Sequence, residues 1–412
     1  MPASEVDYPR AVRVRWLFSG TEPPARDAYV VMARHRILAV TKRKPDCPTW
    51  EMLDKAALPG LLNCHTHLEW SHLEQPLGER GQEFTAWLER MITRRRSDLQ
   101  IDAGRWSMRR RQGLAQSLAF GVHWLADVVS VDEPAPTDST TYRVDDCMGV
   151  VPFRELIGLL PLRWPELRAL AEKFVRQARL REETVGLSPH APYTVARAFL
   201  AELVAWANQH QLPLAMHVAE SWEELELLAG GRGPLVELLE SLNAWDRSAW
   251  KHGSTPRDVL DVLASAVRVL VIHGNYLTRD DLCFLAGQRS RMSLVYCPRT
   301  HDYFAHKPYP LAEALRCGVR VVLGTDSRAT NPDLSVFEEM RFVASRYPSV
   351  DPADVVRMAT VWAAEAMGLS GVGAVQPGMS SALTLVQLDN AATGDPYESL
   401  WQGTPCPTNT WQ

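Results

Sequence analysis

The chain holds only seven cysteines in 412 residues, an odd number with no C-x-x-C pair. That excludes a disulfide framework or a zinc knuckle as the organising device and fits a reducing compartment. Apolar runs of membrane-spanning length are missing. So is a basic region leading into an apolar segment at the N-terminus, which reads Met1-Pro2-Ala3-Ser4-Glu5-Val6-Asp7. Neither a membrane partner nor a secretory signal is expected, and the expected location is cytoplasmic. No charge dominates: 44 Lys and Arg against 49 Asp and Glu leave a net charge of -5, which gives no reason to expect nucleic acid as a partner. The basic triplets Arg94-Arg95-Arg96 and Arg109-Arg110-Arg111 have helical spacing and read as solvated helix faces. P-loop, G-x-G-x-x-G cradle and serine-nucleophile elbow are all absent, which leaves phosphoryl transfer and covalent serine catalysis without support. A hydrophobic content of 46% supports a large core, and the length fits a barrel with a satellite module.

The stretch that organises the chain is Pro59-Gly60-Leu61-Leu62-Asn63-Cys64-His65-Thr66-His67-Leu68-Glu69. The side-chain period of a strand is two, so His65 and His67 leave one face together and can hold an ion between their imidazoles. Taken alone, the pair also fits two unrelated polar residues at a strand end. Three later apolar strands finish in the same manner. One runs through Met216 into His217 with Val218-Ala219-Glu220 behind it, one through Ile272 into His273-Gly274, and one through Leu323 into Gly324-Thr325-Asp326. Buried parallel strands bring such ends to one mouth of a barrel. His65, His67, His217 and Asp326 then make a mixed nitrogen and oxygen ligand set. One divalent ion, Zn2+ or equally Fe2+, suits it and would bring the pKa of bound water towards neutrality. Glu220 falls where the chain leaves the strand, so its carboxylate can take a proton from that water and pass it on. Glu223 and Glu224 read as an acidic first helical turn.

These residues resemble the amidohydrolase superfamily, and within it the cytosine, guanine and S-adenosylhomocysteine deaminase-like branch. The likeness is carried by PGLLNCHTHLE (59–69), LSPHAPYT (187–194), HVAES (217–221), IHGNYL (272–277), YCPRTH (296–301) and LGTDS (323–327), in family order. A narrower likeness, to aminodeoxyfutalosine deaminase-like members, is carried by CPRTHDYFAH (297–306) and GTDSRATNPDLSVFEE (324–339). The resemblance implies a distorted TIM (β/α)8 barrel, with a small β-sandwich formed by the terminal segments. It implies one metal, because the bridging carboxylated lysine of binuclear members has no counterpart in Ser188-Pro189-His190-Ala191-Pro192-Tyr193. The implied reaction is hydrolytic deamination of an aromatic ring amine, on a small-molecule substrate that is an adenine-containing nucleoside such as aminodeoxyfutalosine. Hydrolysis of another C–N or C–Cl bond on a heteroaromatic ring is a second reading. A catalytically silent small-molecule-binding barrel is a third. A homodimer is a common arrangement among such relatives.

By the same resemblance Glu220 shuttles the proton, His273 polarises the attacking water or the tetrahedral oxygen, and Asp326 shares proton transfer besides binding metal. His190 faces the sugar. Arg299 and His301 follow Cys297-Pro298, where a guanidinium either clamps a substrate carboxylate or pairs with a protein acid at the rim. The same two readings are open for Arg328, and for Glu69 with Trp70; Asn331 is a candidate by its place in the loop. His72 and His306 sit in loops near the mouth. His35, His210 and His252 are set aside, and His123 reads as a packed or rim residue.

In chain order, Val12 to Phe18, Ala28 to Ala33 and Arg36 to Val40 read as strands outside the barrel, as does Ser381 to Leu388. The tail after Asn390 reads as partly disordered. The expected division is 1–58 and 369–412 for the sandwich and 59–368 for the barrel. Between the flanks, eight strands alternate with helices, including Glu83 to Arg96, Val195 to His210 and Trp222 to Leu228. Cap candidates are Thr194 and the pair Thr278 and Asp281. The family has threonines before the acidic residue where this chain has His123-Trp124-Leu125-Ala126-Asp127, and an acidic residue where it has Ser381-Ala382-Leu383. The charged connection from Glu69 to Phe84 reads as a loop over the active face.

Overall fold

One glycine separates two sheets. The computed structural model describes residues 8–101, 105–130, 148–389 and 394–407. The N-terminal stretch Met1 to Asp7 lies outside the described residues. Strands β1 (Arg10–Leu17), β2 (Ala25–Ala33), β3 (Arg36–Thr41) and β4 (Thr49–Pro59) precede Gly60, and β5 (Leu61–Thr66) follows it. A Cβ at Gly60 would lie 2.7 Å from Cδ2 of His123, so the close approach of two strands requires glycine there. His123 is accordingly a packed residue.

The barrel strands are β5, β6 (Val122–Val129), β7 (Gly149–Leu156), β8 (Gly186–Pro189), β9 (Leu214–Val218), β10 (Val269–His273), β11 (Met292–Tyr296) and β12 (Val321–Leu323). They pair in sequence order, every pair parallel. A parallel bridge between Thr66 and Asp326 brings the first strand back to the last. All residues of β5, β9, β10 and β11 are buried, as strands covered on both faces must be. Alternate strand residues, among them Leu62, Phe153, Ala215, Ile272 and Val322, form an inner core with Ala363 and Met367 of the helix Val361–Met367. His217 has the parity of Ala215 and continues the inner series towards the end of β9, while Asp326 lies three residues past the last residue of β12.

Strands β13 (Leu383–Gln387) and β14 (Thr404–Pro405) complete a six-stranded sheet in the order β14-β13-β4-β1-β2-β3. The expected pairing of N- and C-terminal segments is present, antiparallel between β4 and β13. At the departure Ser381-Ala382-Leu383, backbone bonds from Ser381 to the His35 carbonyl and from Gly60 to the Ala382 carbonyl, both 2.9 Å, satisfy the chain.

The described part of the tail, residues 394–407, is ordered. Asp395 accepts from the backbone N–H of Tyr397 and Glu398 at 2.7 and 3.0 Å and starts the helix Pro396–Gln402, whose Leu400 is fully buried. An Asp-Pro pair is a cap followed by a preorganised first turn, and composition hid it. The six described cysteines are free thiols, and among the described residues no helix is long and apolar enough to cross a membrane.

The two cap candidates diverge. Thr278 accepts from Asp281 N at 3.3 Å while Asp281 accepts from Thr278 N at 2.9 Å, a capping box on the helix Arg279–Gly287. Thr278→Ala is expected to lower stability by about 1 kcal/mol, read as a shift of the urea midpoint without a change in slope. Thr194 caps nothing. Its hydroxyl meets His190, and the helix starts two residues later than expected, at Arg197.

Candidate metal centre and its cavity

His65 is the penultimate residue of β5, and His67 lies just beyond the strand's last residue, Thr66. Asn63 fixes the bend: its side-chain oxygen accepts from the backbone N–H of His65 at 3.3 Å and of Thr325 at 3.1 Å, and its amide donates to the Thr325 hydroxyl at 2.7 Å. Gly324 permits the approach, since a Cβ there would lie 2.9 Å from that of His65. Asp326 N–H then donates to the His65 carbonyl at 3.0 Å. Its carboxylate Oδ1 lies 3.4 Å from His65 Nε2 and 3.7 Å from His67 Nε2, and Oδ2 accepts from Thr330 at 3.2 Å. Ala219, His273 and Asp326 adopt left-handed backbone angles, with φ of 53, 68 and 57°, strain of the kind that concentrates at functional sites.

The imidazoles gather edge to face or tilted. Ring centroids are 4.8 Å apart for His65 and His67, 5.0 Å for His65 and His217, and 5.4 Å for His217 and His273. His217 Nδ1 meets the His190 carbonyl at 2.8 Å, which fixes the proton on that nitrogen and turns the Nε2 lone pair to the cluster. Burial first, then neighbouring imidazoles, lowers the pKa of His65 well below the ordinary range and that of His217 to about 4, so both are neutral.

A metal is tested against this geometry by three observations. Ligand atoms of His65, His67 and His217, and of His65, His273 and Asp326, each lie within 4.8 Å of one another. His65 Nε2 and His273 Nε2 are buried without a hydrogen bond, a cost that an ion would relieve. Neutral imidazoles with a carboxylate are the donors that a divalent transition ion takes. The residues fit.

Glu220 stands beside this cluster. Its Oε1 is 3.4 Å from His273 Nε2, and its Oε2 accepts from the Tyr193 hydroxyl at 3.4 Å. Burial, with the charges of Asp326 and Glu224, holds its proton well above the usual carboxyl range. Asn275 donates to the Glu220 carbonyl at 2.8 Å, and the Glu224 carboxylate accepts from Ala219 and Glu220 N–H at 2.7 and 3.0 Å. Glu224, read from sequence as part of an acidic helical turn, thus also holds the loop that carries Glu220.

A cavity of about 290 Å3 opens over the cluster and is lined by His67, His217, Glu220 and Asp326. Trp70, Phe84, Trp87 and Tyr193 supply flat apolar walls, and Leu235 and Leu239 close the outer side. His190 lines it as expected. Glu69 does not: buried, it takes a close contact from Arg95 and a 2.5 Å bond from Ser130. Of the two readings open for Arg299, the geometry shows pairing with protein acids. Its guanidinium is bidentate on Asp333 at 2.6 and 3.0 Å and meets Glu339 at 2.7 Å. His301 bonds the Lys307 carbonyl at 2.9 Å, and Arg328 bonds the Leu73 and Glu74 carbonyls, tying down the connection after Glu69. Neither lines the cavity. Asn331 donates to Glu339 at 2.7 Å and to the Thr325 carbonyl at 2.8 Å. His72 contacts Asp98, and His306 bonds the Tyr276 hydroxyl at 2.9 Å.

Two charged lining residues were not singled out from sequence. Arg95, read as a solvated helix face, reaches inwards from the helix Phe84–Ile101 and lies over the Trp70 ring at 5.2 Å. Glu155 projects from the end of β7. The other triplet is corrected as well, because Arg110 is buried against Asp127.

A family model described as "Amidohydrolase family" matches residues 56–410. An aminodeoxyfutalosine deaminase of Deinococcus radiodurans is 29% identical over 320 residues, 73% of this chain and 71% of that protein. Among solved structures, Helicobacter pylori aminofutalosine deaminase in complex with methylthio-coformycin superposes with a TM-score of 0.80 at 19% identity, covering 96% of this chain and 97% of the other. An adenosine deaminase from Xanthomonas campestris with bound zinc gives 0.74 at 22% identity, covering 96% and 89%.

Proposed function

The chain belongs to the amidohydrolase family, and on that premise we propose that it is a metal-dependent hydrolytic deaminase of an adenine-bearing nucleoside such as aminodeoxyfutalosine, releasing ammonia. The observation that carries this is Glu220, its carboxylate 3.4 Å from both His273 and Tyr193 at the floor of an aromatic-walled cavity, directly beside the ligand cluster. His65, His67, His217 and Asp326 would hold one divalent ion, proposed as zinc, whose chemistry is to acidify water and polarise the bond under attack. Flat walls of Trp70, Trp87 and Phe84 suit a planar ring. Glu220 Oε moves a proton to a ring nitrogen and then to the departing amine. His273 Nε2 directs its ring edge at the developing oxygen. His190 faces the substituent beyond the ring. The division into 1–58, 59–368 and 369–412 and a homodimeric cytoplasmic enzyme complete the proposal. The geometry adds no observation in favour of C–Cl hydrolysis or of a silent binding barrel.

Ammonia release from adenosine, methylthioadenosine, S-adenosylhomocysteine, aminodeoxyfutalosine, guanine and cytosine tests the reading. Turnover of an adenine compound by zinc-replete protein is the expected result; silence on all four adenine compounds sinks it. Metal content is checked separately. Protein dialysed against a chelator should regain one zinc per chain, and an excess of free zinc a hundredfold over its Kd should raise stability by about 2.7 kcal/mol. His217→Ala should abolish that increment in a thermal scan.

A further inference from the structure

Two thiols that the sequence keeps 34 residues apart meet outside the ligand cluster. Cys283 Sγ lies 3.6 Å from Cys317 Sγ. Cys283 belongs to the helix Arg279–Gly287, which follows β10, and Cys317 ends the helix Leu311–Cys317, which leads into β12. One turn earlier on the same helices, Arg279 faces Glu313 at 3.7 Å with the same separation in sequence. Residues four apart share a helix face, so the two helices run side by side in one direction and in register. Leu282 and Leu285 of the first and Leu311 and Ala314 of the second are buried, and Arg289 donates to the Gly318 carbonyl at 2.7 Å just beyond the pair. The sulfurs are thus held together by packing that neither of them supplies. Cys283 is exposed and Cys317 half-buried, whereas Cys64 and Cys297 are buried.

We propose that Cys283 and Cys317 are a peroxide-oxidisable pair that closes reversibly into a disulfide and fastens the segment between them. The Cys283 sulfur, reached first from solvent, attacks one oxygen of hydrogen peroxide and becomes a sulfenic acid, while the other oxygen leaves as water. The Cys317 sulfur then attacks that sulfur, and its hydroxyl leaves as a second water. Two thiols lose two electrons, one peroxide gains them, and both thiol protons end on the departing oxygens. A disulfide sets its sulfurs about 2.05 Å apart, a distance that rotation of the two side chains covers. The closed loop includes β11 and Tyr309, whose hydroxyl donates to the His273 carbonyl at 2.8 Å. The cross-link therefore restrains a segment that touches the backbone of the ligand cluster.

Protein treated with hydrogen peroxide, quenched with catalase and unfolded in guanidinium reads the pair. Wild type should fall by two from the seven thiols of its sequence and recover them with dithiothreitol. Peptide mapping without reductant should find Cys283 and Cys317 joined, in chains that migrate as monomers. Oxidation should raise the thermal midpoint of wild type by about 2–4 °C. Cys283→Ser and Cys317→Ser should each show neither the cross-link nor the rise. Seven thiols remaining, sulfinic acid at Cys283 with no cross-link, or a cross-link only between two chains overturns the inference, as does a cross-link that leaves the midpoint where it was. None of these readings depends on ammonia release, so the proposed function and this inference fail separately.

Discussion

Glu220→Gln is expected to lower ammonia release on the adenine substrate by about 10²- to 10⁴-fold, the range for loss of a positioned general acid and base, while metal content and the thermal midpoint stay near wild type. The amide keeps the volume of the carboxyl and can still accept from Tyr193, so the cavity should retain its shape. What it loses is the ability to take up a proton and give it back. The surroundings make that loss specific. The backbone at Glu220 is pinned by Asn275 and Glu224, and the side chain meets His273 and Tyr193 at 3.4 Å, so the amide is held where the carboxyl stood. Asp326 already faces His65 and His67. Because Glu220 is outside the proposed ligand set, zinc measured by mass spectrometry should remain at one per chain. Activity retained within about threefold of wild type would remove Glu220 from the proton path.

The ligand cluster was legible because its residues are placed by the backbone alone. A polar residue at the end of a buried parallel strand has one place to go, the mouth of the barrel, and His65, His217, His273 and Asp326 all obey that rule. Long side chains in the connections obey no such rule. Whether Arg299 faced the cavity or an acid depended on Asp333 and Glu339, 34 and 40 residues further on, and a guanidinium adds no periodic pattern that would tell. Arg95 misled in the opposite sense, because its basic neighbours suggested solvent while a buried Glu69 drew it inwards. Glu155, half-buried, is the penultimate residue of β7 and follows two buried strand residues, Phe153 and Arg154. It could have been found by the strand-end rule applied to the third strand. Thr194 looked like a cap because a helix does begin nearby; the competing partner, His190, is four residues back and visible only once the loop is folded.

The largest stability effect is expected away from the cluster, at Arg110. The fully buried Asp127 carboxylate at the end of β6 accepts from Leu68 N–H at 3.0 Å through Oδ1, and Arg110 contacts its Oδ2 through Nε at 3.0 Å and Nη2 at 2.9 Å. This carboxylate ties the turn after His67 to the helix Arg105–Ala119. Burial pushes its pKa up to about 6, even against the pull of Arg110. Arg110→Met keeps the apolar stem and removes the largest of the pulls that lower this pKa, so the folded-state pKa must rise further above the unfolded value. A buried charge left without its partner costs about 3–5 kcal/mol, and protonation limits that cost. The sign follows from proton binding. Between the unfolded and folded pKa values the folded state holds a proton that the unfolded chain has released, so stability falls as pH rises through that window. Arg110→Met should therefore be much less stable than wild type at pH 8, and the gap should narrow on acidification to pH 6. Urea midpoints at the two values measure it. A gap that is small at pH 8, or that widens towards pH 6, would mean that Asp127 does not depend on Arg110 for its charge. In that case the turn after His67 would be held by packing of Leu68 and Trp70 alone.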